Sequence, residues 1–174
     1  MSQDPDFERL VDLYYPSLYR FALSLTRQES DASDLTQQTF YVWAKKGHQL
    51  RDKTKVKSWL FTTLHREYLE RRRRIVRFPQ VELAEAAQEL PEVASVSVEH
   101  LDAAAVLDAL ARVEELFQAP IALFYLEDYS YPEIAEVLGI PLGTVKSRIS
   151  RGIAQLQQLI IGPEAKLAKR ERRG

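Results

Sequence analysis

The sequence predicts an all-α protein built as two small helical domains joined by an acidic linker. Three observations lead there. Apolar residues recur at steps of three and four through most of the chain, and no segment shows the convincing period-two alternation of a strand. Charge is segregated into blocks of opposite sign. Near residue 140 the stretch "SYPEIAEVLGIPLGTVKSRISRG" carries the start, stop and restart signals of two helices meeting at a tight turn. A length of 174 residues leaves room for one ordinary domain or two small ones.

The first helical stretch is "DPDFERLVDLYYPSLYRFALSLTRQ", with Phe7, Leu10, Val11, Tyr14, Leu18, Phe21, Ala22 and Leu25 on one face. Pro16 falls inside it and is expected to bend or break it into two short helices. "SDASDLTQQTFYVWAKKG" follows, with Ser30 as its cap, acids in its first turn, and Lys45, Lys46 and Gly47 at its end. Both ends suit the helix dipole. The third, "KVKSWLFTTLHREYLERRRRIV", has apolar Val56, Trp59, Leu60, Leu64, Tyr68 and Leu69 and a strongly cationic far end. The spacing puts Trp59 and Tyr68 in the core, where large aromatic rings at apolar-face positions usually pack.

Beyond Pro79 the character changes. "FPQVELAEAAQELPEVASVSVEH" has five glutamates, two prolines and no Lys or Arg, and reads as a linker. An amphipathic helix over Glu82 to Leu90 is the alternative. "LDAAAVLDALARV" then resumes the helical pattern, and "APIALFYLEDY" reads as an apolar helix opened by Pro120. Ser130 and Glu133 form a capping box ahead of Ile134, Val137 and Leu138. Gly139 stands where a helix ends in a left-handed residue. Pro141 suits the opening of the next helix. The tail "GPEAKLAKRERRG" reads as basic and disordered, with weak, nonspecific affinity for DNA. The domain boundaries are therefore 1–77, an acidic linker 78–99, 100–161, and a basic tail 162–174.

Charge supplies the first functional hint. Residues 1–50 are net −2, residues 51–77 net +7, residues 78–140 net −12 and residues 141–174 net +6. Basic blocks of that size attract polyanions, of which nucleic acid is the usual one. The alternative is that the blocks pair with one another inside the fold. Cysteine is absent, which excludes disulfides and thiolate metal sites and fits a reducing cytoplasm. No apolar run is long enough to enter a membrane and the N-terminus has no secretory core. No cofactor and no metal site is expected. No nucleophile–base set, phosphate loop or carboxylate pair appears at useful spacing, so the chain does not read as an enzyme.

The stretch around residue 140 has the form of a helix-turn-helix. In its second helix Val145, Ile149, Ile153 and Leu156 face the core. Lys146, Ser147, Ser150 and Arg151 project away from that face, with Thr144 and Arg148 at its edge. Such a helix can lie in the major groove and offer donors to guanine edges and phosphates. A plain helical hairpin with a solvated cationic face is the simpler alternative.

"LEDYSYPEIAEVLGIPLGTVKSRISRG" closely resembles region 4, the promoter-reading domain of bacterial sigma factors. "DASDLTQQTFYVWAKK" resembles their region 2.2, and "KVKSWLFTTLHREYLERRRR" their regions 2.3 and 2.4. The order, the spacing and the missing region 3 resemble the extracytoplasmic-function group over about residues 5–160. The resemblance implies a transcription initiation factor that directs RNA polymerase core to promoters by reading the minus-ten and minus-thirty-five elements. It implies that Asp31, Asp34, Gln37, Gln38 and Phe40 dock on the clamp helices of the largest polymerase subunit. Region 4 would meet the flap of the second. Lys55, Lys57, Phe61, His65, Arg66, Arg71, Arg72, Arg73 and Arg74 match the part that melts and reads the minus-ten element. Thr144, Lys146, Ser147, Arg148 and Arg151 match the minus-thirty-five reader. An anti-sigma factor is an implied further partner. Gln38 stands where members usually carry an acid, and "HREYLERRRR" lacks the usual Asn and Asp.

Elementary chemistry agrees with these roles. Melted promoter DNA exposes bases that need planar partners beside a cationic track. Trp59, Phe61, His65 and Tyr68 lie among Lys55, Lys57, Arg66 and the four arginines. Those four consecutive arginines point around the whole helix, which suits backbone phosphate more than any one base. Glu82, Glu85, Glu89 and Glu92 of the linker could mimic RNA phosphates in the polymerase channel, or simply hold the linker extended. The competing reading is a helix-turn-helix regulator that binds duplex DNA and is not a sigma factor.

Overall fold

The computed structural model describes residues 5–75 and 103–171. The linker 78–99, with Glu82, Glu85, Glu89 and Glu92, lies outside the described residues. Seven α-helices are present among those described. They are α1 (Pro5–Thr26), α2 (Glu29–Lys46), α3 (Val56–Ile75), α4 (Ala103–Leu110), α5 (Glu115–Tyr125), α6 (Tyr131–Leu138) and α7 (Leu142–Glu171). Two short 3₁₀ turns, Gly47–Gln49 and Lys53–Lys55, lead from α2 into α3.

Helices α1, α2 and α3 bury Leu18, Phe21, Leu35, Leu60, Phe61 and Leu64 completely. The buried hydroxyls of this unit are satisfied within their own helices. Ser24 donates to the Phe21 carbonyl, Thr36 to that of Ala32 and Thr39 to that of Leu35. The core around them therefore stays apolar without unpaired donors. Gly47 sits flat against the Trp43 indole, where an added Cβ would come within 2.5 Å of the ring. Close approach, and not a left-handed backbone, is what requires glycine there, since its φ is −59°.

The second unit is α4 to α7, centred on Leu110, Phe117, Ile121, Leu123, Ile134, Val145 and Ile149. The turn between α6 and α7 follows the local signals closely. Ser130 accepts from the Glu133 amide while Glu133 accepts from the Ser130 amide, a complete capping box. Gly139 is left-handed at φ 66° and ψ 36°. Ile140 N–H donates to the Ala135 carbonyl, as a Schellman motif requires.

Four local expectations are corrected. Pro16 does not divide α1, which is continuous from Pro5 to Thr26. The proline ring stands on the exposed face, so the carbonyl it orphans can turn to water. Ser30 does not cap α2; Gln28 precedes a helix that already begins at Glu29. Pro120 does not open α5 but lies well inside it, buried, because the helix begins at Glu115. Burial of Phe117, Ile121 and Leu123 outweighs one missing amide, and the deprived carbonyl belongs to exposed Leu116. The tail is helical through Glu171 and not irregular. Glu164 to Glu171 are residues of good helix propensity, and they prolong α7.

The two units share one apolar core. Helix α1 packs on α5, and α3 packs on α6. Phe61 joins them: its ring lies 5.4 Å from Phe21 of α1 and 5.3 Å from Tyr129 of the α5–α6 loop.

Helices α5 and α7 cross at Gly152. A Cβ there would meet Ile121 Cδ1 at 2.1 Å and Phe117 Cβ at 2.9 Å. The Ile121 methyl can turn aside, but the Phe117 Cβ moves only with its helix. Alanine gains about 1 kcal/mol in helix propensity, against an overpacking cost of about 1–3 kcal/mol. The 2.9 Å approach to a Cβ that moves only with its helix puts the cost in the upper part of that range, about 2–3 kcal/mol, so Gly152→Ala should be destabilising by about 1–2 kcal/mol, read as a lowered urea midpoint at unchanged m-value. An unchanged or raised midpoint would show that the crossing is loose.

Candidate nucleic-acid and polymerase interfaces

Helix α2 presents Asp31, Asp34 and Gln37 to solvent, with Gln38 half-buried beside them. Phe40 does not belong to that surface. It is 5% exposed, stacked on Tyr15 at 6.2 Å and edge-on to Phe7 at 6.5 Å. Its work is to hold α2 against α1.

The residues matched to minus-ten recognition divide into two groups. Lys55, Arg66, Arg73 and Arg74 are exposed, and Arg71 is half-exposed. Lys57, Phe61, His65 and Arg72 instead face the second unit. Phe61 is fully buried. Lys57 lies over the Tyr129 ring, 4.7 Å from its centre, and approaches the Glu127 carbonyl at 3.5 Å. Arg72 donates to Glu115 at 2.7 Å, and Tyr68 donates its hydroxyl proton to the same carboxylate at 2.7 Å. That contact and burial push the Tyr68 pKa up to about 12, burial contributing most.

His65 is half-buried at the junction of α3 with the helix-turn-helix. Loss of water lowers its pKa to about 4, and the nearby Arg148 guanidinium adds to the shift. Arg148 of α7 thus stands close to α3. Of the other residues matched to minus-thirty-five recognition, Lys146 is exposed and Thr144, Ser147 and Arg151 are half-exposed. The Ser147 hydroxyl is turned back onto the Thr144 carbonyl at 3.1 Å. Val145 and Ile149 are buried as the helical spacing requires.

Four residues of the junction were not singled out in the sequence: Arg20, Glu115, Glu127 and Tyr129. Arg20 donates through Nε to Glu127 at 2.9 Å, and the Glu127 side chain is only 3% exposed. Burial raises the Glu127 pKa, while its bond to Arg20 opposes that. The opposition of charge between residues 51–77 and 78–140 is a signal for Glu115 with Arg72 alone; Arg20 lies in the net-acidic block 1–50 and Tyr129 is uncharged, so neither had one. Trp59, expected in the core, is half-buried and packs edge-on against Trp43 at 5.1 Å. Next to it, Lys46, Gln49, Thr63, Arg66 and Glu67 line an open polar cleft of about 420 Å³.

A three-helix unit with a cationic third helix, followed in one chain by a helix-turn-helix, defines a sigma-70-type protein. Residues 10–78 match the family Sigma-70 region 2, and residues 103–156 match Sigma-70, region 4. The chain is 30% identical over 151 residues to the ECF RNA polymerase sigma factor SigL of Mycobacterium tuberculosis, covering 85% of each. It is 32% identical over 160 residues to the ECF RNA polymerase sigma factor SigE of Mycolicibacterium smegmatis. That match covers 90% of this chain and 62% of the relative, so the chain spans less than two thirds of SigE. Among solved structures, the sigma factor RpoE of Bartonella quintana, in complex with the anti-sigma factor NepR, superposes with a TM-score of 0.67 at 28% identity. The match covers 90% of this chain and 98% of RpoE. CnrH, in complex with the cytosolic domain of CnrY, shares the fold with a TM-score of 0.65 at 24% identity, over 92% of each chain. The protein belongs to the ECF RNA polymerase sigma factor family. Sigma factors are regulatory proteins of transcription initiation. Among the described residues no helix is long and apolar enough to cross a membrane.

The His65 shift fixes a sign. The folded state holds the neutral ring, while an unfolded chain titrates near 6.5. The stability this group contributes is present above about pH 6.5 and lost as pH falls toward 4. Between about pH 7 and pH 5 the protein should lose about 2 kcal/mol through His65. His65→Gln should lack this part of the pH dependence. Urea unfolding of both forms at the two pH values measures it, and parallel losses would remove His65 as the cause.

Proposed function

We propose that this chain binds RNA polymerase core in the cytoplasm and directs it to promoters by reading a minus-ten and a minus-thirty-five element. The observation that carries the reading is the presence, in one chain and in the family's order, of the cationic helix α3 and the helix-turn-helix α6–α7. The docking surface for the largest-subunit clamp helices is Asp31, Asp34 and Gln37 with the edge of Gln38. Their exposure on a helix whose other face is buried supports this assignment. The second-subunit flap is proposed as the partner of the second unit. Duplex or melted minus-ten DNA is taken by Lys55, Lys57, Phe61, His65, Arg66 and Arg71 to Arg74. For Lys57, Phe61, His65 and Arg72 this requires the second unit to move away. The minus-thirty-five element is taken by Thr144, Lys146, Ser147, Arg148 and Arg151.

The physical division of labour follows from residue type. Lys146 and the four-arginine run supply phosphate contacts, which fix position and make binding sensitive to salt. Arg151 has the planar fork that can pair with both acceptors of a guanine edge. An anti-sigma factor is proposed as a further partner, by analogy with the RpoE complex with NepR.

In vitro transcription with purified core tests the whole reading: the chain should confer promoter-specific initiation that core alone lacks. Asp34→Lys with Gln37→Ala should weaken retention on core while helical content stays unchanged. Arg151→Ala should relax sequence choice at one or two positions of a randomised upstream element, at about 1–3 kcal/mol for a lost bidentate contact. An unchanged ranking of sequences would remove Arg151 from base reading.

A further inference from the structure

We propose that a cleft at the C-terminal end of α3 is the docking site of this chain's own acidic segment, Gln80 to Leu90, which is tethered directly to the cleft wall. The inference rests on the charge and shape of the cleft and is independent of the promoter-reading proposal.

The cleft measures about 410 Å³ and opens where α3 ends beside the turn from α1 to α2. Leu25, Tyr68 and Ile75 supply its apolar lining. Arg71, Arg72 and Arg74 line it too, against a single acid, Asp31. Among the described residues only Arg72 of these three has an ion pair, to Glu115. Ile75 is 81% exposed, the most of any large apolar residue described. Arg27, which follows α1, is left-handed at φ 60°. A helix usually ends on glycine or asparagine in that conformation, so an arginine there points to a use for its side chain. Its charge is felt at the hydroxyl of Tyr68, a wall of the cleft.

Such a cleft suits an occupant that is acidic and aliphatic at once. Nucleic acid offers phosphate but no aliphatic side chain to cover Leu25 and Ile75. Residues 78–99, outside the described residues, hold five glutamates and no Lys or Arg. In a helical register Leu83, Ala87 and Leu90 share one stripe, and Glu82, Glu85 and Glu89 share the next. That register sets leucines against the apolar lining and glutamates against the arginines. The length of chain allows it. Residues 76–102 leave from Ile75, in the cleft wall, and end at Ala103, the start of α4. Extended, they would span about 90 Å. Arg72 and Tyr68 already touch Glu115, which begins α5, so both ends of the segment lie well inside that reach. Tethering holds the segment at an effective concentration on the order of millimolar, which populates even a weak contact. Docking leaves residues 91–102 as the free tether in place of 76–102. On random-coil scaling that shortens the reach between the two units by about a third.

Hydrogen exchange of the full chain, followed by mass spectrometry, reads the docking without a label. Relative to their intrinsic rates, the amides of residues 81–90 should exchange about tenfold more slowly than those of residues 92–99. Leu83→Ser with Leu90→Ser removes the aliphatic stripe. Arg71→Gln with Arg74→Gln removes cations from the other side, at positions that are half-exposed and exposed. Either pair should return residues 81–90 to the rates of 92–99, with circular dichroism confirming that each protein is folded. The arginine pair separates docking from a helix formed by the segment alone, which would keep its protection. Location is checked by distance. The chain has no cysteine, so Ser30→Cys, exposed beside Asp31, and Gln88→Cys allow a spin-label measurement. A narrow, short distance should appear and should survive tenfold dilution with unlabelled chain. Loss on dilution would make the occupant a second copy and overturn the proposal. So would equal exchange across the two stretches of the unchanged chain, or protection that persists in the arginine variant.

Discussion

A carboxylate taken out of water must be met by a cation, and Glu127 is met by Arg20. Much of the junction follows from that requirement. Arg20 lies on α1 one residue before Phe21, so the ion pair places the α5–α6 loop directly over the Phe21–Phe61 contact. Tyr129 then completes a run of three rings through α1, α3 and the loop. The rings supply the burial and the ion pair supplies the register. Aromatic packing alone tolerates sliding of one surface over another. A 2.9 Å charged hydrogen bond with one buried partner does not.

The helix-turn-helix is held differently. Its geometry is fixed locally, by the capping box at Ser130 and Glu133 and by the left-handed Gly139, before any contact with the first unit is made. The capping bonds also lower the Glu133 pKa, the Ser130 amide contributing most, so the cap keeps its charge well below neutrality. A locally determined hairpin can move as a rigid piece. The contacts that tie the second unit to α3, in contrast, join distant parts of the chain, with Phe61 and Tyr129 as their apolar centre.

What could be read from the sequence follows the same division. The box at Ser130 and the stop at Gly139 were legible because each depends on residues within one turn. Pro16 and Pro120 were misjudged because a proline rule is a local rule, while each helix is held by distant packing: α1 by Phe21 and Leu18, α5 by Phe117 and Ile121. Phe40 and Phe61 carry a related lesson. Family resemblance assigns them to partners, yet both sit on the apolar face of their helices and pack there. The opposed charge blocks were visible, but pairing Arg72 with Glu115 requires two helices that are far apart in sequence to be set side by side, and Arg20, which takes Glu127 of the α5–α6 loop, stands outside the basic block.

Those pairings recast the near-zero net charge of −1. Attraction to nucleic acid and pairing inside the fold were posed as alternatives for the basic block 51–77. They use overlapping atoms. A cation that rests against a carboxylate in one arrangement is available to a phosphate in another, and the cost of exchange is small where both partners are already half in water, as Arg72 and Glu115 are. The exposed Arg66, Arg73 and Arg74 stay outside the junction and keep a positive field along the second half of α3. An approaching polyanion is therefore drawn first to the residues that need no rearrangement. Lys57 and Phe61, in contrast, are both engaged by the Tyr129 ring of the second unit.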